Sequence, residues 1–190
     1  MEEKIVMSYD ISFEDYLDYN KTISELTVPT NRKRTTGQGI IITILAVLLV
    51  LYNNFLSDKN VWYTLIGVAM TAVGVYISLF YKIVAPKMLY KSVKKAYESD
   101  PEGFNNRIVT FAQDYFTDLP DGGYGEIKWD EVSSVLETQS QILILFPDTR
   151  GVIIPKNKVE SEEIRAFLSE KMKEIGKEYL TAQTLRGENQ

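Results

Sequence analysis

The sequence predicts an α+β membrane protein: a two-helix transmembrane hairpin joined to a water-soluble antiparallel β-sheet domain that ends in a helix. Three observations predict it. Residues 40–56 and 61–81 are almost wholly apolar, whereas the rest of the chain reads as soluble protein. Positive charge gathers around those runs and negative charge at both ends. Beyond residue 100, short stretches rich in β-branched and aromatic residues alternate with turn signals.

The hairpin follows from length. A helix rises about 1.5 Å per residue, so about 20 apolar residues cross a hydrocarbon core of about 30 Å. The second run meets this as it stands, and the first does once residues 37–39 join it. The predicted spans are about 38–56 and 61–82, within a segment of residues 37–85. Neither run holds an ionisable residue before Lys82, which argues against a transport path. Only Ser57-Asp58-Lys59-Asn60 separates them, a link too short for anything but an antiparallel pair. Tyr52, Phe55, Trp62 and Tyr63 sit beside that turn, where amphipathic rings favour a membrane interface.

Orientation follows from the cations. Arg32, Lys33 and Arg34 precede the first span, and Lys82, Lys87, Lys91, Lys94 and Lys95 follow the second. The excess of positive charge on the inner side predicts a multi-pass protein of the cell membrane with both termini cytoplasmic. The apolar runs begin only at residue 40, behind an acidic segment, which argues against a cleaved signal peptide. In the second span, Gly67, Thr71, Gly74 and Ser78 fall on one helical face as candidate helix-packing residues. Small side chains there let another helix approach, either the first span or a second copy of the chain. After Pro86, residues 86–99 read as a basic amphipathic juxtamembrane helix, with Lys87, Lys91, Lys94 and Lys95 on one face and Leu89, Val93, Ala96 and Tyr97 on the other. Contact with anionic headgroups and a plain topology signal both account for these lysines.

Charge and composition narrow the function. Residues 1–30 carry a net charge of −5, residues 31–99 of +7 and residues 100–190 of −7. Acidic ends argue against nucleic acid. The chain has no Cys and no His, so it lacks disulfides, thiol nucleophiles and the commonest general base and metal ligand. No cofactor or metal site is expected. Asp114, Asp118, Asp121, Asp130 and Glu131 lack the spacing of a calcium loop and read as surface acids.

The soluble segments divide into residues 1–36 and 100–180, with a tail at 181–190. Residues 4–9 read as a strand. Ser12 with Asp15 three residues on gives a helix N-cap, and a helix over about residues 13–20 follows. The strand is expected to add to the C-terminal sheet, since an isolated strand is unstable. Strands are expected at residues 107–112, 114–119, 124–129, 131–138, 142–146 and 150–154, with turns at Pro120-Asp121-Gly122-Gly123 and Pro147-Asp148-Thr149. Ser161 reads as the N-cap of an amphipathic helix carrying Ile164, Phe167, Leu168, Met172 and Ile175. A meander closed by one helix is how pleckstrin-homology-like (PH-like) barrels are built.

Glu126-Ile127-Lys128-Trp129-Asp130-Glu131-Val132 with Val135 and Glu137, then residues 142–145, then Ile153-Ile154-Pro155-Lys156 and the helix from Ser161, resemble the C-terminal domain of YcxB-like proteins. Tyr9-Asp10-Ile11-Ser12-Phe13-Glu14-Asp15-Tyr16-Leu17 and the two spans resemble the same family's N-terminal half. The resemblance implies a bacterial membrane protein with a PH-like cytoplasmic domain, and it implies no reaction. The expected function is a membrane-anchored binding or regulatory module, not an enzyme, with the lipid bilayer and a protein as its partners. An immunity-type or assembly protein acting through the hairpin is the alternative. Trp129 and Lys156 are candidate recognition residues, each with a plainer reading as core packing and as a solvated strand end.

Overall fold

The computed structural model describes residues 4–27, 29–55, 60–120, 125–148 and 150–181. In chain order the elements are β1 (Ile5–Tyr9), α1 (Phe13–Thr27), α2 (Pro29–Phe55), α3 (Val61–Leu79), a π-helical turn (Phe80–Val84) and α4 (Ala85–Ser99). There follow β2 (Arg107–Phe111), β3 (Tyr115–Pro120), β4 (Ile127–Lys128), β5 (Ser134–Glu137), β6 (Gln141–Leu145), β7 (Gly151–Pro155), α5 (Ser161–Glu174) and β8 (Glu178–Thr181). Short 3₁₀ turns lie at Glu102–Phe104 and Trp129–Glu131. Residues 57–59 of the predicted hairpin turn, residues 121–123 of the predicted glycine turn and the tail beyond Thr181 lie outside the described residues. Two compact units result, one of Met1–Ile23 with Val93–Gln190 and one of Ser24–Ser92.

In the first unit, β1-β2-β3-β4 form an antiparallel sheet and β7-β6-β5-β8 a second, mixed sheet. The expected addition of the N-terminal strand is found: β1 pairs with β2, Ile5 opposite Phe111 and Tyr9 opposite Arg107. Met7 and Tyr9 are buried while Val6 and Ser8 face out, the period of two that a half-buried strand requires. The core is aromatic and aliphatic. Phe111, Phe116 and Trp129 meet at 4.7–6.1 Å between ring centroids, with Phe167 of α5 beside them. Every residue of β6 is buried, and Ile164, Leu168 and Met172 of α5 are buried too. Each such side chain contributes about 1.5–3 kcal/mol of transfer free energy.

Two expectations need correction. The sheet is not purely antiparallel, because β8 runs parallel to β5, with Val135 opposite Tyr179. The chain leaves α5 at Gly176. This glycine takes φ +67°, and Lys177 N–H donates to the Met172 carbonyl at 2.8 Å, a left-handed helix end that turns the chain into β8. Ser161 is the first helical residue and not the cap, a place taken by Glu160 without a side-chain bond. At α1 the predicted cap is present: Asp15 N–H donates to Ser12 Oγ at 3.2 Å and Ser12 N–H to Asp15 Oδ2 at 3.0 Å. That helix runs on to Thr27, beyond the expected end.

The second unit is the antiparallel pair α2 and α3. Gly39, Ala46 and Asn53 of α2 recur every seven residues and are buried, as are Gly67 and Gly74 of α3. The backbones come close there: a methyl on Gly39 would lie 2.9 Å from the Gly74 carbonyl oxygen. Near the turn, Asn53 Nδ2 donates to the Asn60 carbonyl at 2.9 Å and to Thr64 Oγ1 at 2.8 Å, and Asn60 N–H donates to Asn53 Oδ1 at 3.2 Å. Beyond α3 the helix continues to Ser99, as expected past Pro86. Proline supplies no N–H and crowds the preceding turn, and the π turn just before it absorbs the mismatch.

Candidate functional site

Glu137 ends β5, Lys156 follows β7, Arg165 lies on α5 and Tyr179 on β8; the fold brings all four together. Lys156 Nζ donates to Glu137 Oε1 at 2.5 Å, Arg165 Nη2 to the same oxygen at 2.6 Å, and Tyr179 O–H to Oε2 at 2.8 Å. Burial alone would raise the carboxyl pKa. The bonds from Lys156, Tyr179 and Arg165 outweigh it and hold Glu137 below the usual carboxylate range. Tyr179's phenol is pushed up, first by burial and then by the carboxylate it serves. With both oxygens engaged, Glu137 acts as a clasp tying α5 and β8 to the sheet.

A second set of contacts fastens the chain before the hairpin to the chain after it. Lys158 Nζ donates to the Asp10 carbonyl at 2.8 Å and to Asp15 at 3.0 Å. Gln141 Nε2 donates to the Asp15 carbonyl at 2.7 Å, and Tyr9 O–H to the Ile153 carbonyl at 2.8 Å. Burial raises the Tyr9 pKa, so the phenol stays a donor. Tyr16, Tyr97 and Phe104 stack around the start of α1, with Tyr16 and Tyr97 each 4.7 Å from Phe104. Asp15 is held low by its bonds from Ser12 and Lys158, which exceed the upward push of burial.

Among the described residues the outer edge of β1 pairs with no strand. It borders a groove of about 230 Å³ whose other wall is the start of α5, with Val159, Glu160 and Glu163 facing Ile5, Val6 and Ser8. Val6 is 62% exposed. Alternate residues of an edge strand present N–H and C=O outward, a ready template for an added strand.

The remaining predicted residues are placed as follows. Trp129 is 3% exposed and donates from Nε1 to the Ala112 carbonyl at 3.0 Å, so its ring is not at the surface. Lys156 is turned onto Glu137 and the Thr138 carbonyl, not into solvent. Gly67 and Gly74 face α2, while Thr71 and Ser78 bond back to the carbonyls of Gly67 and Gly74 at 2.8 Å. Small residues thus pack within the hairpin. Lys87, Lys91, Lys94 and Lys95 are exposed on α4, whose Val93 is buried; Ala96, expected opposite the lysines, is exposed too. Lys33 and Arg34 are exposed, and Arg32 is half-buried.

Among the acids, Asp118 pairs with Arg107, Nε to Oδ1 at 2.8 Å, although burial leaves its carboxyl pKa raised. Asp114, Asp130 and Glu131 are exposed, and Asp121 is outside the described residues. Among the described residues no three carboxylates gather as a metal site would require. Sequence reasoning missed Arg165, Tyr179, Lys177 and Asn53. Lys177 caps the Trp129–Glu131 turn by donating to the carbonyls of Asp130 and Val132. The seven-residue recurrence of Gly39, Ala46 and Asn53 was the signal for the α2 face. The Glu137 partners lie 19, 28 and 42 residues away and leave no local pattern.

Together these features define an α+β protein in which a two-sheet unit is joined to two helices long and apolar enough to cross a membrane. Residues 111–172 match the family model described as YcxB-like protein, which bears out the resemblance over that span. The match holds Trp129, Glu137, Lys156 and Arg165 and ends before Tyr179. No curated protein and no solved structure matches the chain.

Proposed function

We propose that this protein is a membrane-anchored cytoplasmic binding or regulatory module rather than an enzyme, and that its soluble unit recognises a protein partner through the free edge of β1. The hairpin is the anchor, a multi-pass insertion with both termini cytoplasmic. The observation that carries the reading is the interlock: the chain before α2 and the chain after α4 build one unit around shared strands, leaving a strand edge unpaired among the described residues beside a groove lined by Lys158, Glu160 and Glu163. Large apolar side chains cover the outside of α2 and α3, with Phe55 79% exposed, as suits lipid. Four strands, three strands and a closing helix, in that order, support a PH-like architecture extended by β8.

A second reading is favoured by a groove of about 380 Å³ between Val47, Val50 and Leu51 of α2 and Val68, Thr71 and Ala72 of α3. There the hairpin itself would receive an apolar helix, as an immunity-type or assembly protein would. Crosslinked pull-downs from native membranes, with the full chain and with a version carrying an unrelated hairpin, separate the two. A partner kept by both supports the module. A partner lost on the swap moves function into the hairpin.

A further inference from the structure

The small-residue seam of the hairpin ends on a charge. Asn53 lies against Asn60, the carbonyl of Ala46 against Gly67, and the carbonyl of Gly39 against Gly74. One further step of seven on each helix reaches Arg32 on α2 and Tyr81 in the π turn, which α2 also touches. By that spacing Arg32 falls on the face of α2 whose other seam residues are small or doubly bonded to α3. Its Nε is buried and has no hydrogen-bond partner among the described residues. An orphan guanidinium nitrogen at such a place is costly unless an acceptor arrives.

No acceptor is at hand in the sequence either. Between Glu25 and Glu98 the single acid in the sequence is Asp58, between the two apolar runs. The open end carries Arg32, Lys33 and Arg34 on α2, with Lys82 next to Tyr81 and Lys87 a turn and a half beyond. Arg32 also lies in the amino-terminal turn of α2, where the helix dipole is positive. Guanidinium matches the two oxygens of a phosphate bidentately, and lysines nearby add point charges.

We propose that Arg32, assisted by Lys82, seats the phosphate of an anionic phospholipid headgroup at the open end of the hairpin. The inference rests on the membrane reading above. A soluble phosphate offers the same oxygens, but only a lipid brings acyl chains to the exposed Ile40, Ile41 and Ile83 beside the seam. A bare topology signal needs positive charge and no particular geometry, so it predicts no difference between Arg32 and its neighbours.

The test uses the full-length protein. Flotation with vesicles of phosphatidylcholine alone reports membrane insertion; failure there overturns the membrane reading itself. In detergent, retained lipid is counted by native mass spectrometry, and thermal melting is followed with added phosphatidylglycerol, phosphatidylcholine or inorganic phosphate. The expected result is one retained phosphatidylglycerol and a melting shift with that lipid only. Arg32→Gln weakens apparent affinity about tenfold or more, which corresponds to about 1.4 kcal/mol. Lys82→Gln, which leaves the seam packing intact, weakens it less, and Lys173→Gln on α5 leaves it unchanged. Equal retention of both lipids, an equal shift with inorganic phosphate, or R32Q indistinguishable from K173Q each overturns the proposal while leaving insertion standing.

Discussion

The two units of this chain are built in opposite senses. The hairpin buries small residues, Gly39, Ala46, Gly67 and Gly74, and exposes Ile, Leu, Val and Phe. The two-sheet unit buries Phe111, Phe116, Leu143 and Ile144, and the charges it buries, such as Glu137 and Asp118, are paired. On the membrane reading proposed above, the contrast teaches what each solvent leaves for packing to do. In water, large apolar side chains supply the driving force by leaving the solvent. In lipid that force between helices is absent, and close backbone contact takes its place.

The largest expected effect tests the water-built unit. Deleting residues 1–10 removes β1 with the buried Met7 and Tyr9, and is expected to cost about 4–6 kcal/mol from the two side chains and the lost strand. Hydrogen exchange at β2 amides in detergent reads it, and unaltered protection would show that the sheet closes without β1. Next is the hairpin. Gly74→Leu drives side-chain atoms into the Gly39 carbonyl and is expected to cost about 1–3 kcal/mol by thermal melting. Val68→Leu, at an exposed site, should change stability by less than about 0.5 kcal/mol. Equal effects from the two would erase the contrast.

Glu137→Gln sharpens the comparison from the polar side. It strips charge from a carboxylate serving two cations, and about 2 kcal/mol is expected from urea denaturation. Its pH dependence has a definite sign. The folded pKa is depressed, so the stabilisation is complete above the unfolded value, near pH 4–5, and is lost as pH falls through the folded value. Urea midpoints measured from pH 7 to pH 3 should therefore decline for the parent and decline less for E137Q; parallel curves would contradict the assignment. Apart from the Val68→Leu control, the smallest effect is expected beside the turn. Asn53→Leu removes the bonds to Asn60 and Thr64, and about 1 kcal/mol should be lost, read as a lower melting temperature.

Much of this was legible in the chain. Ser12 and Asp15 announce the start of α1, and they bond as a capping pair should. The Gly67 to Ser78 face is found where its spacing puts it, because helical periodicity is local. The register of β1 on β2 was not readable in detail, since Ile5 and Phe111 are brought together only by folding. Nor was β8. Its four residues follow a helix and carry one charge, and nothing in Glu178-Tyr179-Leu180-Thr181 states which strand they join.

By itself the sequence determined the two apolar helices, their antiparallel return and the order of strands before the closing helix. Those follow from the partition of each short segment between water and an apolar environment, which needs no knowledge of distant residues. Only the tertiary structure decided that β1 closes one sheet and β8 the other, and that Glu137 gathers Lys156, Arg165 and Tyr179. Such pairings depend on free energies between segments far apart in the chain, where many partners are chemically equivalent and geometry alone selects among them.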